Sequence, residues 1–192
     1  YENNPLELHF GGRENRCRKT NEITKNRRYF LQGQKPGGRI MGKVKDQLEE
    51  LFTRYRKKRI CVLGTTCCEK STLQQCFSQS VDMDEVLWTT LTKEEETYIC
   101  SKPWTNDIGR FTSKIVKERM VIEPGHPLFS LILLECDMIV YLEISDGLLR
   151  EHCNKRSASF EDAKNVKLAI EKAIDEKRAD TNIKVFILSV DE

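Results

Sequence analysis

Hydrophobic positions divide this chain into a polar opening stretch and a long region where short apolar runs alternate with amphipathic ones. In residues 1–42, arginine and asparagine are scattered without periodicity. Gly11-Gly12, Gly33, Pro36-Gly37-Gly38 and Gly42 interrupt any regular element, so a flexible basic arm is predicted. Val44, Leu48, Leu51, Phe52 and Tyr55 then fall at i, i+4, i+7, i+8 and i+11, which predicts a helix over 43–58. From Ile60 onward the pattern shortens. Strands are predicted at 60–63, 80–88, 120–123, 138–144 and 183–190. Helices are predicted at 71–77, 92–101, 105–119, 128–135, 147–156 and 160–177. Ser159 and Asp162 resemble a capping box at the start of the last helix.

Strands alternating with helices predict an α/β fold in three layers, a parallel sheet with helices on both faces. The chain then divides into an arm (1–42), an amphipathic helix (43–59) and a domain (60–192). Ligands of such sheets sit beyond the carboxyl ends of the strands. The first predicted strand, Ile60-Cys61-Val62-Leu63, runs into Gly64-Thr65-Thr66-Cys67-Cys68-Glu69-Lys70-Ser71-Thr72 and then a helix. Strand, glycine turn, Lys-Ser/Thr and helix is the order of a phosphate-binding loop, G-x-x-x-x-G-K-[S/T]. In such a loop backbone N–H groups cradle phosphates, the lysine reaches the β and γ phosphates and the next hydroxyl binds magnesium.

The second glycine of that pattern is Glu69 here, and Cys67 stands where kinase loops of this type commonly carry a further glycine. A side chain held at positive φ costs about 1–2 kcal/mol. At about 6 Å, in an effective dielectric of about 20, the Glu69 carboxylate would also repel a phosphate charge by about 3 kcal/mol. The sequence therefore predicts a loop that keeps its shape while binding ATP poorly. Cys67 and Cys68, near helix-terminal N–H groups, are expected to have lowered thiol pKa values.

Composition adds an asymmetry to this picture. The net charge is only +2, yet residues 1–59 carry 16 Lys/Arg against 7 Asp/Glu, and residues 60–192 carry 16 against 23. A basic arm on an acidic domain leaves open nucleic-acid binding through residues 13–59, with Tyr29-Phe30 to stack on bases, or simply a solvated tail. The cluster Arg54, Arg56, Lys57, Lys58 and Arg59 also suits a helix C-terminus without any ligand. No apolar run approaches a membrane span, and the polar start shows no secretory leader. The eight cysteines include no C-x-x-C pair, so free thiols in a cytoplasmic protein are expected.

From Ile60 to the end, the order of motifs resembles the small P-loop kinases of the nucleoside-phosphate and shikimate kinase type, and their adenylate-kinase-like ATPase relatives. The resemblance rests on residues 60–72, on Asp82-Met83-Asp84-Glu85-Val86-Leu87-Trp88, and on residues 136–144 followed by Leu149-Arg150 and Lys155-Arg156. It covers about two thirds of the chain. By that likeness the fold is P-loop NTPase-like and the cofactors are ATP and Mg2+. Residues 64–72 would hold the nucleotide, with Lys70 on its phosphates. Ser71 and Glu123 would serve the metal, Asp84 (with Asp82 and Glu85 close by) would face the acceptor, and Arg150 and Arg156 would neutralise the transferred phosphoryl. The acceptor is an unknown small molecule. The activity implied is transfer or hydrolysis of a γ-phosphoryl group. The alternatives are a catalytically impaired relative kept as a binding module, and a nucleic-acid-associated protein. Each site residue also has a bland reading: Asp82 and Asp84 as a polar strand end, Glu123 and His126 as turn residues, and the arginines as helix-surface charges.

Overall fold

The structure, a computed structural model, describes residues 38–101, 106–180 and 183–191. The elements run α1 (Gly38–Arg54), β1 (Ile60–Leu63), α2 (Lys70–Gln74), β2 (Val81–Asp82), α3 (Met83–Thr90), α4 (Lys93–Ile99) and α5 (Asn106–Arg119). They continue with β3 (Leu128–Ser130), β4 (Met138–Glu143), α6 (Asp146–Lys155), α7 (Phe160–Asp180) and β5 (Lys184–Ser189). The five strands form one sheet in the order β2-β3-β1-β4-β5, and every pairing is parallel.

The central strands β1, β3 and β4 are apolar along almost their whole length because the sheet is covered on both faces there. On one face, Ile60, Val62, Phe129, Met138, Val140 and Leu142 pack with Val44 and Leu48 of α1, Leu73 of α2, and Leu149 and Cys153 of α6. On the other, Cys61, Leu63, Leu128, Ile139 and Tyr141 pack with Met83 and Leu87 of α3, Ile115 and Val116 of α5, and Val166, Ile170 and Ile174 of α7. The stripe predicted on the first helix is thus used as a sheet cover. One polar device fixes the register of the two central strands. The Asp137 carboxylate accepts from the Arg59 backbone N–H at 2.9 Å and from its guanidinium at 2.8 and 3.2 Å. The Arg59 carbonyl in turn accepts from the N–H groups of Asp137 and Met138. Arg59 therefore leaves the basic cluster at the end of α1 and works as a staple.

Several boundaries differ from the sequence expectation. Gly38 to Gly42 belong to α1 rather than to the arm, and α1 ends at Arg54; residues 1–37, including Tyr29 and Phe30, lie outside the described residues. The segment expected as a helix at 128–135 opens as β3. A short apolar run buried on all sides has no period that separates strand from helix. Residues 120–123 form no strand: Met120 and Ile122 are buried from an irregular segment, and Gly125 (φ 82) turns the chain into β3. Residues 80–88 hold a two-residue strand followed by α3. Asp82 ends that strand by capping the helix, its carboxylate accepting from the Asp84 N–H at 2.8 Å. Met83 and Leu87, four apart, then face the core.

Among the described residues, no helix is long and apolar enough to cross a membrane. Cys61, Cys67, Cys68, Cys76, Cys136 and Cys153 are free thiols, as expected; Cys100 is disulfide-bonded and departs from that expectation.

Candidate functional site

The loop of residues 64–72 leaves the carboxyl end of β1, between β3 and β4. The Gly64 N–H donates to the Ser130 carbonyl at 3.3 Å, so the loop starts against the end of β3. The buried Thr65 hydroxyl donates to the Ala163 carbonyl and ties the loop to α7. His152 of α6 donates its Nδ1 proton to the Cys67 carbonyl at 3.0 Å; a carbonyl can only accept, which fixes that tautomer. Cys68 is fully buried beneath the loop. Burial pushes its thiol up to about 11 despite the nearby Lys70, so the lowered pKa expected at this position is overturned.

Cys67 has φ 63 and Glu69 has φ 62. Both are left-handed; Glu69 stands at the second glycine of the sequence pattern, and Cys67 where kinase loops commonly carry a further one. The backbone path survives without the residues that normally make it easy. Glu69 is the N-cap of α2 but offers no side-chain cap; its carbonyl accepts from the Leu73 N–H at 3.0 Å. Its carboxylate turns to other partners. Oε1 accepts from Arg156 Nη2 at 2.6 Å and lies 3.7 Å from His152 Nδ1, and Oε2 accepts from the Thr72 hydroxyl at 2.9 Å. The negative charge expected to repel phosphate is therefore paired.

Lys70 begins α2 and is half-buried. Among the described residues its ammonium makes no hydrogen bond or ion pair. Its charge is nonetheless felt by Asp82, whose pKa is raised by burial and pulled back by Lys70. Ser71 is exposed beside it, and Asp84 is half-buried on α3. The loop, Lys70 and the Asp82/Asp84 turn thus share one region at the carboxyl edge of the sheet.

Three expected site residues are placed elsewhere or used otherwise. Glu123 precedes β3 and so sits at the amino edge of the sheet, away from Ser71; its carbonyl accepts from the His126 N–H across the turn. It cannot share a metal ion with Ser71. His126 bonds the Gln79 carbonyl at the same edge. Arg150 lies 3.8 Å over the Phe160 ring, a cation–π contact. Arg150 and Arg156 are six positions apart, which puts them on different sides of the helix, whereas His152 and Arg156 are four apart and share the side that meets the loop. His152 is the site residue that the sequence reading missed, and its i, i+4 spacing to Arg156 was the available signal.

Arg156 caps α6, and Ser157 follows with φ 50. The Ala158 N–H returns to the Cys153 carbonyl at 2.9 Å and the Ser157 N–H to the Asn154 carbonyl at 3.2 Å. This is a Schellman ending, and it fixes the direction in which Arg156 leaves the helix.

No family model matches this sequence, and no curated protein matches it.

Two cavities among the described residues lie away from the loop. One of about 540 Å³ is lined by Arg59, Lys117, Val121 and Lys177. The other, of about 470 Å³, is lined by Phe52, Arg56, Phe77 and Pro127. Among the described residues, no group of three or more His, Cys, Asp or Glu side chains converges as a metal cage.

Proposed function

We propose that this chain is a nucleotide-binding protein of the P-loop kinase or ATPase type. It holds the phosphates of ATP with magnesium at residues 64–72 and transfers or hydrolyses the γ-phosphoryl group. One observation carries the reading: left-handed backbone at Cys67 and Glu69, leading into a lysine whose ammonium has no anion partner among the described residues. Strained backbone is retained where surrounding structure holds it, and such sites are often functional. In this reading Lys70 binds β and γ phosphates, Ser71 serves the metal, and Asp82 and Asp84 face the acceptor or the attacking water.

Thermal unfolding with and without Mg-ATP tests the proposal. A ligand at a hundred times its Kd stabilises by about 2.7 kcal/mol. For a chain of this size that raises Tm by about 5–10 °C. Lys70→Ala is expected to abolish the shift. No shift at millimolar Mg-ATP in either wild type or Glu69→Gln, or an equal shift in Lys70→Ala, refutes the proposal.

A second reading, a binding module with little turnover, is favoured by the arginines. Arg156 is engaged by Glu69 and Arg150 by Phe160. With both engaged, neither is positioned to neutralise charge on a transferring phosphoryl group. Mg-ATP binding with no phosphate release above background would select this reading over the first.

A further inference from the structure

Glu69 stands beside the presumed phosphate site, and its carboxylate is bonded in a particular way. Oε1 takes the Arg156 guanidinium at 2.6 Å, and Oε2 takes the Thr72 hydroxyl at 2.9 Å. These donors come from different elements, the end of α6 and the first turn of α2. His152 stands behind them, 3.7 Å from Oε1. A guanidinium and a hydroxyl donating to one anionic group would suit a phosphate oxygen equally well. The anionic group here is supplied by the loop itself.

We propose that Glu69 is an autoinhibitory latch, an internal anion that competes with nucleotide phosphate for Arg156 and Thr72. This rests on the nucleotide-binding reading above. The Glu69 carbonyl accepts from the Leu73 N–H, which holds its backbone at the start of α2 while the side chain moves. That movement is available. The Glu69 side chain is 25% exposed and Arg156 48% exposed, so the carboxylate has a route to solvent. A pair this exposed is weak, and an incoming phosphate carries more charge than the carboxylate it replaces. When Glu69 swings out, the loop loses its obstruction and Arg156 transfers to the bound phosphate. The latch thereby makes the only arginine seen at the loop among the described residues conditional on ligand.

Calorimetric titration of the intact chain with Mg-ATP, and separately with pyrophosphate, tests this. Four proteins are compared: wild type, Glu69→Gln, Arg156→Ala and the double variant. Glu69→Gln keeps the size of the side chain and removes its charge, and it is expected to tighten binding by about tenfold or more. Arg156→Ala is expected to weaken binding by about tenfold in the Glu69→Gln background and by less in wild type, where part of the arginine's interaction is already spent on Glu69. Tm without ligand reports whether each variant folds, and Arg156→Lys replaces the alanine variant if that one does not. If wild type binds and Glu69→Gln binds no tighter, the latch is refuted while the nucleotide reading stands. If Arg156→Ala has no effect in the Glu69→Gln background, the arginine is only a counter-ion for Glu69 and the latch is refuted. If neither wild type nor Glu69→Gln binds, the nucleotide reading falls and takes the latch with it.

Discussion

Gly64→Ala is the substitution whose outcome is most closely constrained by the geometry of the loop. A Cβ built on Gly64 would lie 2.5 Å from the Cys68 sulfur, 3.3 Å from Leu142 Cβ and 3.5 Å from Leu142 Cδ1. The first distance is shorter than any ordinary contact, and Cys68 is fully buried. Backbone angle is not the reason for glycine here, because Gly64 lacks the positive φ seen at Gly125. The glycine supplies space, so the loop can fold back over its own thiol. Overpacking of this kind costs about 1–3 kcal/mol. At about 2–4 °C per kcal/mol for a chain of this length, Tm should fall by about 2–12 °C. Cys68→Ala alone removes one heavy atom and should cost about 0.5–1.5 kcal/mol. In the double variant the new methyl takes the place left by the sulfur, so the two costs should combine to about 1–2 kcal/mol less than their sum. Urea unfolding followed by circular dichroism measures all four proteins. Additivity within about 0.5 kcal/mol would show that the two positions do not compete for space, and the packing account of Gly64 would be wrong.

Other consequences follow from single contacts. Thr65→Val keeps the shape of a buried side chain but removes its hydrogen bond to the Ala163 carbonyl, which stays within the α7 helix, so it should cost about 0.5–1.5 kcal/mol in the same unfolding assay. Ser157→Gly relieves a left-handed φ at the end of α6 and should stabilise by about 0.5–1 kcal/mol, read as a higher Tm. Asp82 has its pKa raised by burial, so its charged form is disfavoured in the folded state. Its destabilising effect is absent below the unfolded pKa of about 3.9 and grows as pH rises through the folded value. Asp82→Asn retains a capping side chain, so it should raise Tm at pH 7 and lose that advantage at pH 3. Of the six free thiols among the described residues, only Cys76 is exposed; brief alkylation of the native protein should label Cys76 and leave Cys61, Cys67, Cys68, Cys136 and Cys153 unlabelled until the chain is unfolded.

The parts of the fold legible in the sequence are those where burial is one-sided or the run is long. The α1 stripe faces one side of the sheet, and Met138 to Glu143 forms a continuous apolar run long enough to read as a strand. What could not be read was set by tertiary context. Leu128-Phe129-Ser130 is buried between two strands, and nothing in three residues separates that from a buried helical turn. Reading 120–123 as a strand puts Glu123 at a carboxyl edge, whereas it stands before β3 rather than after a strand. At the loop, the sequence identified the two positions that need positive φ and the structure has it at both. It could not indicate where the Glu69 charge would go, because Arg156 is 87 residues away along the chain.

That long-range pair bears on how the loop holds its shape without glycine. A left-handed non-glycine residue costs about 1–2 kcal/mol, and two of them in one loop would favour relaxation into another conformation. Each is opposed by a contact from α6. The Cys67 carbonyl is bonded by His152, and the Glu69 carboxylate by Arg156. Both anchors project from one side of one helix, whose end is set by the Schellman turn at Ser157. On this argument α6, rather than local sequence, maintains the path of residues 64–72. His152→Ala removes the anchor of Cys67 without touching the loop itself. It should cost about 1 kcal/mol in global stability, while amide exchange accelerates selectively across residues 66–70, since local opening draws on the interactions that hold each segment. Uniform acceleration over the whole sheet, or none at the loop, would mean that the strained angles are held by packing beneath the loop, where Cys68 lies, and not by α6.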